Sequence, residues 1–105
     1  IAVDTVCVTG RNPSSSARLW PQTERLKAHL VLFETATDAQ QAQTHAQGAI
    51  AAADALWRYL DVPLYGAWRD KFDFVQGFVE EPAPASSFYH IALALSELIR
   101  VADAA

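Results

Sequence analysis

Apolar residues near the C-terminal end fall at Phe88, Ile91, Ala92, Leu95, Leu98, Ile99 and Ala102. This 3-4-3 rhythm is that of one helix face, and Ser86 or Ser87 can cap its first turn. Residues 84–90 therefore read as loop, cap, helix. Leu93, Ala94 and Val101 fill much of the remaining circumference, which predicts a helix enclosed on more than one side. Tyr89 and His90 are the polar tips at its mouth. A second helix is predicted from Asp38 to Leu60, opened by Thr37-Asp38-Ala39-Gln40 and stopped by Asp61-Val62-Pro63. Ala39, Ala42, Ala46, Ala49, Ile50, Ala53, Leu56, Trp57 and Leu60 form its apolar stripe, with Gln40, Gln41, Gln43, Gln47 and Asp54 largely off it. An earlier helix takes its caps from Ser14, Ser15 and Ser16 and tolerates Pro21 only in its first turn. Leu19, Thr23, Leu26, Leu30 and Phe33 follow at helical spacing, and the helix ends near Thr35.

Between these helices the pattern is irregular. Residues 1–9 are β-branched and run into Gly10-Arg11-Asn12-Pro13, which predicts a short strand and a turn. Segment 62–85 is long for a connection, and its Phe72-Asp73-Phe74-Val75-Gln76-Gly77-Phe78-Val79 run suits a short hairpin. The first and third helices have the broader apolar faces, which predicts that they line an interior while the second lies outside. Three tryptophans and five phenylalanines, spread over loops as well as helices, imply surfaces that want neighbours. The expected class is all-α: three helices and a hairpin-like loop belonging to a larger domain.

Bulk composition narrows the function. The 105 residues are 51% hydrophobic and carry a formal net charge of −4. Eight scattered Lys and Arg form neither a phosphate-tracking stripe nor a polybasic patch, so nucleic acid and membrane are not expected partners. Cys7 is the single cysteine, which excludes an internal disulfide framework and favours a reducing, cytoplasmic setting. No apolar run reaches the roughly 18 residues of a spanning helix. His29, His45 and His90 lack HxxxH or His-carboxylate spacing, which argues against a metal site, and no cofactor is expected.

Three motifs lie in order along the chain: Ser16-Ala17-Arg18-Leu19-Trp20-Pro21-Gln22-Thr23-Glu24-Arg25-Leu26-Lys27-Ala28, then Gly66-Ala67-Trp68-Arg69-Asp70, then Glu81-Pro82-Ala83-Pro84-Ala85-Ser86-Ser87-Phe88-Tyr89-His90. Together they resemble the C-terminal part of the N-acylglucosamine 2-epimerase family, which includes mannose isomerases and cellobiose epimerases. The resemblance implies an (α/α)6 barrel, residues 1–105 being the C-terminal portion of that single domain. It also implies a sugar epimerase or isomerase acting on N-acylglucosamine, mannose or a related aldose, by proton transfer at C2 through an enediol. A base with a pKa near neutral suits that step. His90 is then the catalytic residue, one of a pair whose partner lies elsewhere. Trp20, Gln22, Glu24, Trp68 and Tyr89 are the substrate-binding candidates, the tryptophans stacking on the sugar. A small-molecule sugar is the implied partner, with homo-oligomerisation left open.

Blander readings exist for each residue. Helix dipoles favour a carboxylate such as Glu24 near a helix start regardless of ligand. Arg69 and Asp70 are placed to pair with each other at the surface, and His29 and His45 read as structural or solvated. Two rival functions remain: a glycosidase-like enzyme on the same barrel with Glu24 and Asp70 as paired carboxylates, and a non-catalytic fragment or binding module.

Overall fold

The computed structural model describes residues 1–3, 16–63 and 68–104. In chain order they form β1 (Ser16–Arg18), α1 (Leu19–Glu34), α2 (Ala39–Leu60), β2 (Lys71–Asp73), β3 (Gly77–Phe78) and α3 (Ser86–Ala104). Of the strand expected over 1–9, residues 1–3 have no regular structure, while the remainder and the 10–13 turn lie outside the described residues.

The first helix starts without the serine cap. Ser16 is a strand residue, and the N-cap position falls to Arg18, which makes no side-chain cap bond. A backbone carbonyl substitutes, since the Leu19 N–H donates to Asp70 O at 2.7 Å. Leu19, Gln22, Thr23, Leu26 and Leu30 form the buried face, with Phe33 packed beside it, close to the face predicted. Full burial of each leucine contributes about 1.5–3 kcal/mol. Pro21 falls in the first turn, where its missing N–H is not needed. The end comes where predicted, with Thr35 N–H donating to Val31 O at 3.0 Å.

α2 is opened by Asp38, whose carboxylate accepts from Gln41 N at 2.8 Å. The Gln41 side chain reaches back to accept from Thr37 N and Thr37 Oγ1, so the capping box runs one residue later than its sequence signature suggested. Its buried face is Ala49, Ala52, Ala55, Leu56 and Tyr59. The predicted stripe is thereby split. Ala49 and Leu56 are buried, but Ile50 and Trp57 are 63% and 62% exposed. Small Ala52 and Ala55 let α2 approach α1 closely, and Tyr59 swings inward because its hydroxyl can donate to Ala17 O at 2.8 Å.

That bond anchors a small sheet of order β1-β2-β3. Ala17 pairs with Phe72 and Arg18 with Lys71, antiparallel, and Phe72 pairs with Phe78 in the predicted hairpin. Asp73 makes the turn by accepting from Val75 N and Gln76 N at 2.7 and 3.0 Å. Gly77 closes it at φ +84°, a conformation that favours glycine.

α1 occupies the middle, packing on α2 and α3 through one core that includes Leu26, Leu30, Ala49, Leu56, Ile91, Ala94 and Val101. Both α2 and α3 rest on α1, the packing that the expected layering, with α1 and α3 inside and α2 outside, would also require of these three helices. In α3, Ser87, Ile91, Ala94 and Val101 are buried among the described residues, whereas Phe88, Leu95 and Ile99 make a second, exposed apolar stripe about a quarter-turn round the helix. Among the described residues, no helix is long and apolar enough to cross a membrane.

Candidate functional site

The N-terminal turns of α1 and α3 carry most of the predicted site. His90 lies one turn into α3 and Glu24 in the second turn of α1. His90 Nδ1 is 3.1 Å from Glu24 Oε1, a contact across 66 residues of chain. Glu24 also receives Lys27 Nζ at 3.0 Å. Desolvation alone would push the Glu24 carboxyl up, but the hydrogen bonds from Lys27 and His90 outweigh it and hold the group below the usual carboxylate value. Glu24 thus stays ionised, and α1 has no acidic residue in its first turn for the helix dipole to favour.

An ionised carboxylate at Nδ1 takes its proton as a hydrogen bond, which in the neutral imidazole leaves Nε2 as the basic nitrogen. The pair is accessible, with side chains 32% and 41% exposed. Trp20, half exposed, brings its ring centroid to 6.1 Å from that of His90, tilted by 37°. Tyr89, 64% exposed, makes an edge contact with the imidazole at 5.9 Å. His90, Glu24, Trp20 and Tyr89 are therefore brought together.

The other two candidates sit differently. Gln22 is fully buried. Its Oε1 accepts from Ala2 N at 2.8 Å, while its Nε2 donates to Ala2 O at 2.6 Å and Arg18 O at 2.9 Å, so the amide is spent on pinning backbone. Trp68 packs against the core and lies 6.2 Å from the Phe88 ring. Its buried Nε1 has no hydrogen-bond partner among the described residues.

Several polar residues have partners that sequence spacing did not suggest. Arg69 does not pair with Asp70. It bonds Glu80 at 3.2 Å and lies over the Phe78 ring, while Asp70 is buried, accepts from Ser87 Oγ at 2.7 Å and has Arg18 Nη1 at 3.7 Å. Ser87 consequently serves Asp70 rather than a helix cap. His29 and His45 meet across α1 and α2, Nδ1 to Nδ1 at 3.3 Å. No signal local to either partner could have shown these pairs, because each joins residues from different elements.

Chemically, the arrangement is an imidazole base backed by a carboxylate, beside an aromatic face. Two hydroxyls nearby are already committed, Ser87 to Asp70 and Thr23 to Trp20 O. Glu24 and Asp70 each have other partners, so neither is an unencumbered acid or base of the paired-carboxylate kind. Among the described residues, no three His, Cys, Asp or Glu side chains group to hold a metal ion.

Residues 3–94 match the family described as N-acylglucosamine 2-epimerase (GlcNAc 2-epimerase). The chain is also 52% identical over 83 residues to a protein of Rhizobium meliloti (strain 1021) named mannose-6-phosphate isomerase. That stretch covers 79% of this chain and 21% of the relative, so the chain spans about a fifth of the relative's length. No solved structure matches significantly. With the family match extending over nearly all of these residues and enclosing both halves of the His90–Glu24 pair, the chain belongs to the N-acylglucosamine 2-epimerase family, a family of sugar epimerases and isomerases.

Proposed function

We propose that this chain is the C-terminal portion of an (α/α)6 barrel and that His90 is a general base of a sugar epimerase or isomerase. The observation that carries the reading is the 3.1 Å contact between His90 Nδ1 and Glu24 beside the Trp20 ring. In the ring-opened aldose, the proton on C2 is acidified by the C1 carbonyl. His90 Nε2 removes it, the C–H electrons become the C1–C2 double bond, and the C1 carbonyl π pair moves onto its oxygen, giving an enediol in its singly ionised form. Glu24 stabilises the imidazolium through a charge-assisted bond at Nδ1 and fixes the ring's orientation. Return of a proton to the opposite face of C2 gives the epimer. Delivery to C1, with the C2 hydroxyl proton moving to the C1 oxygen, gives the ketose. The acid-base partner that epimerisation needs on the other face comes from another part of the barrel. Trp20 and Tyr89 hold the sugar, and Trp68 supports α3 from below through Phe88.

The substrate is an unphosphorylated mannose-type aldose or an N-acylated hexosamine. Among the described residues, Lys27 beside the pair is engaged by Glu24, and Arg100 further along α3 by Glu34 and Glu97, which supports a neutral sugar over a phosphorylated one. The relative's name favours mannose 6-phosphate as the second reading. The deciding experiment incubates the intact barrel protein with mannose, N-acetylglucosamine and mannose 6-phosphate separately in D2O. The product should appear from a neutral sugar and carry deuterium at the carbon that received the proton. Turnover of the phosphosugar alone would select the second reading, and absence of any turnover would reject the enzyme assignment.

A further inference from the structure

We infer that Asp70 is the positioning residue that sets the His90–Glu24 geometry, holding α1 by its backbone and α3 by its side chain. The inference rests on the catalytic reading of His90 given above, although its structural half can be measured without it. Three contacts converge on this one residue. Its carbonyl accepts the Leu19 N–H at 2.7 Å, filling the place of the side-chain cap that α1 lacks. Its Oδ1 accepts from Ser87 Oγ at 2.7 Å, a buried bond one helical turn before His90. Its Oδ2 lies 3.7 Å from Arg18 Nη1, on the residue that leads into α1. Asp70 also immediately precedes β2, whose Lys71 pairs with Arg18. The small sheet therefore carries a single rigid post from which the first turns of both site-bearing helices hang.

The geometry explains why a carboxylate is buried here at 4% exposure when the proton transfer itself does not use it. An isolated buried charge is costly unless hydrogen-bonded. Asp70 is bonded at one oxygen and faces a cation at the other. Loss of either half lets the start of α3 shift relative to α1, and displacement of a catalytic group by about 1 Å costs about 100-fold in rate.

The test uses the intact barrel protein with Asp70→Ala, Asp70→Asn, Ser87→Ala and the Asp70→Ala/Ser87→Ala double variant. Asp70→Ala and Ser87→Ala should each lower kcat about 10- to 100-fold with KM within about twofold, and the double variant should be no worse than the single ones. Asp70→Asn keeps an acceptor for Ser87 and should recover most of the lost kcat. Should Asp70→Ala fail to fold, Ser87→Ala carries the same prediction. In parallel, hydrogen exchange should quicken in peptides covering 84–92 and 18–26 of Ser87→Ala. Unchanged kcat with only a lowered melting temperature would overturn the positioning role, as would a loss confined to KM. If the parent protein turns over no sugar, the catalytic reading falls, and unchanged exchange in those peptides would then sink the structural claim separately.

Discussion

His29 shows how much a single contact can change the meaning of a residue. On sequence it is a histidine in mid-helix with no motif. In the fold, desolvation, then the nearby Arg25 charge and His45, depress its pKa below the ordinary imidazole value. The protonated form is thus disfavoured in the folded chain relative to the unfolded one, where His29 titrates near ~6.5. The unfolded state binds the extra proton first, so stability rises with pH through this window and is lost as pH falls from ~6.5 toward the lower folded value. The urea midpoint should drop between pH 7.5 and pH 5, and His29→Asn should flatten that dependence; an unaltered slope in the variant would refute the assignment. The place of His90 at a helix mouth was legible, because helical rhythm and a preceding serine pair put it there. Its link to Glu24 was not, since 66 residues separate them. Gln22 shows the converse, a polar residue in a site motif whose amide bonds the backbone of Ala2 and Arg18, partners that its spacing did not announce.

Among the elements, α2 was read almost to the residue and its orientation was not. Asp38, Pro63 and the glutamine-rich wet face delimit it from local chemistry. Which of its small residues face α1 depends on partners, and alanines carry little directional signal. Tyr59 was missed because its inward turn depends on the Ala17 carbonyl. β1 was equally invisible, since Ser16-Ala17-Arg18 has no strand signature and pairs only because β2 is there. Gly48 provides a test at this scale. A Cβ at that position would collide with the His29 ring, approaching Cγ to 2.9 Å and two further ring atoms more closely. Helix propensity alone predicts that Gly48→Ala stabilises by about 1 kcal/mol. Overpacking costs about 1–3 kcal/mol, so the expected outcome in thermal or urea unfolding is a net loss. Gly48→Ala placed on a His29→Ala background should instead gain stability. A gain in the wild-type background would contradict the α1–α2 contact.

At the scale of the whole molecule, the described residues leave apolar surface uncovered. Leu26, Leu30 and Phe33 of α1 floor clefts walled by Ile50 and Trp57 of α2 and by Leu95 and Leu98 of α3. Phe88 and Ile99 extend the exposed apolar surface of α3. Contiguous apolar patches of this kind drive association in water. The 105-residue chain expressed alone should self-associate, with an apparent mass in light scattering that rises with concentration. A monodisperse monomer would show that these faces tolerate solvent. Sequence reasoning foresaw such surfaces from the number and spread of aromatics, but not which helix faces supply them. The central claim concerns the site those helices hold. Its most direct test is His90→Ala in the intact barrel protein, read by NMR as exchange of the substrate C2 proton with deuterated solvent, alongside sugar affinity. Exchange should slow by about 10²- to 10⁴-fold while affinity stays within about threefold. Wild-type exchange in the variant would show that His90 is not the base.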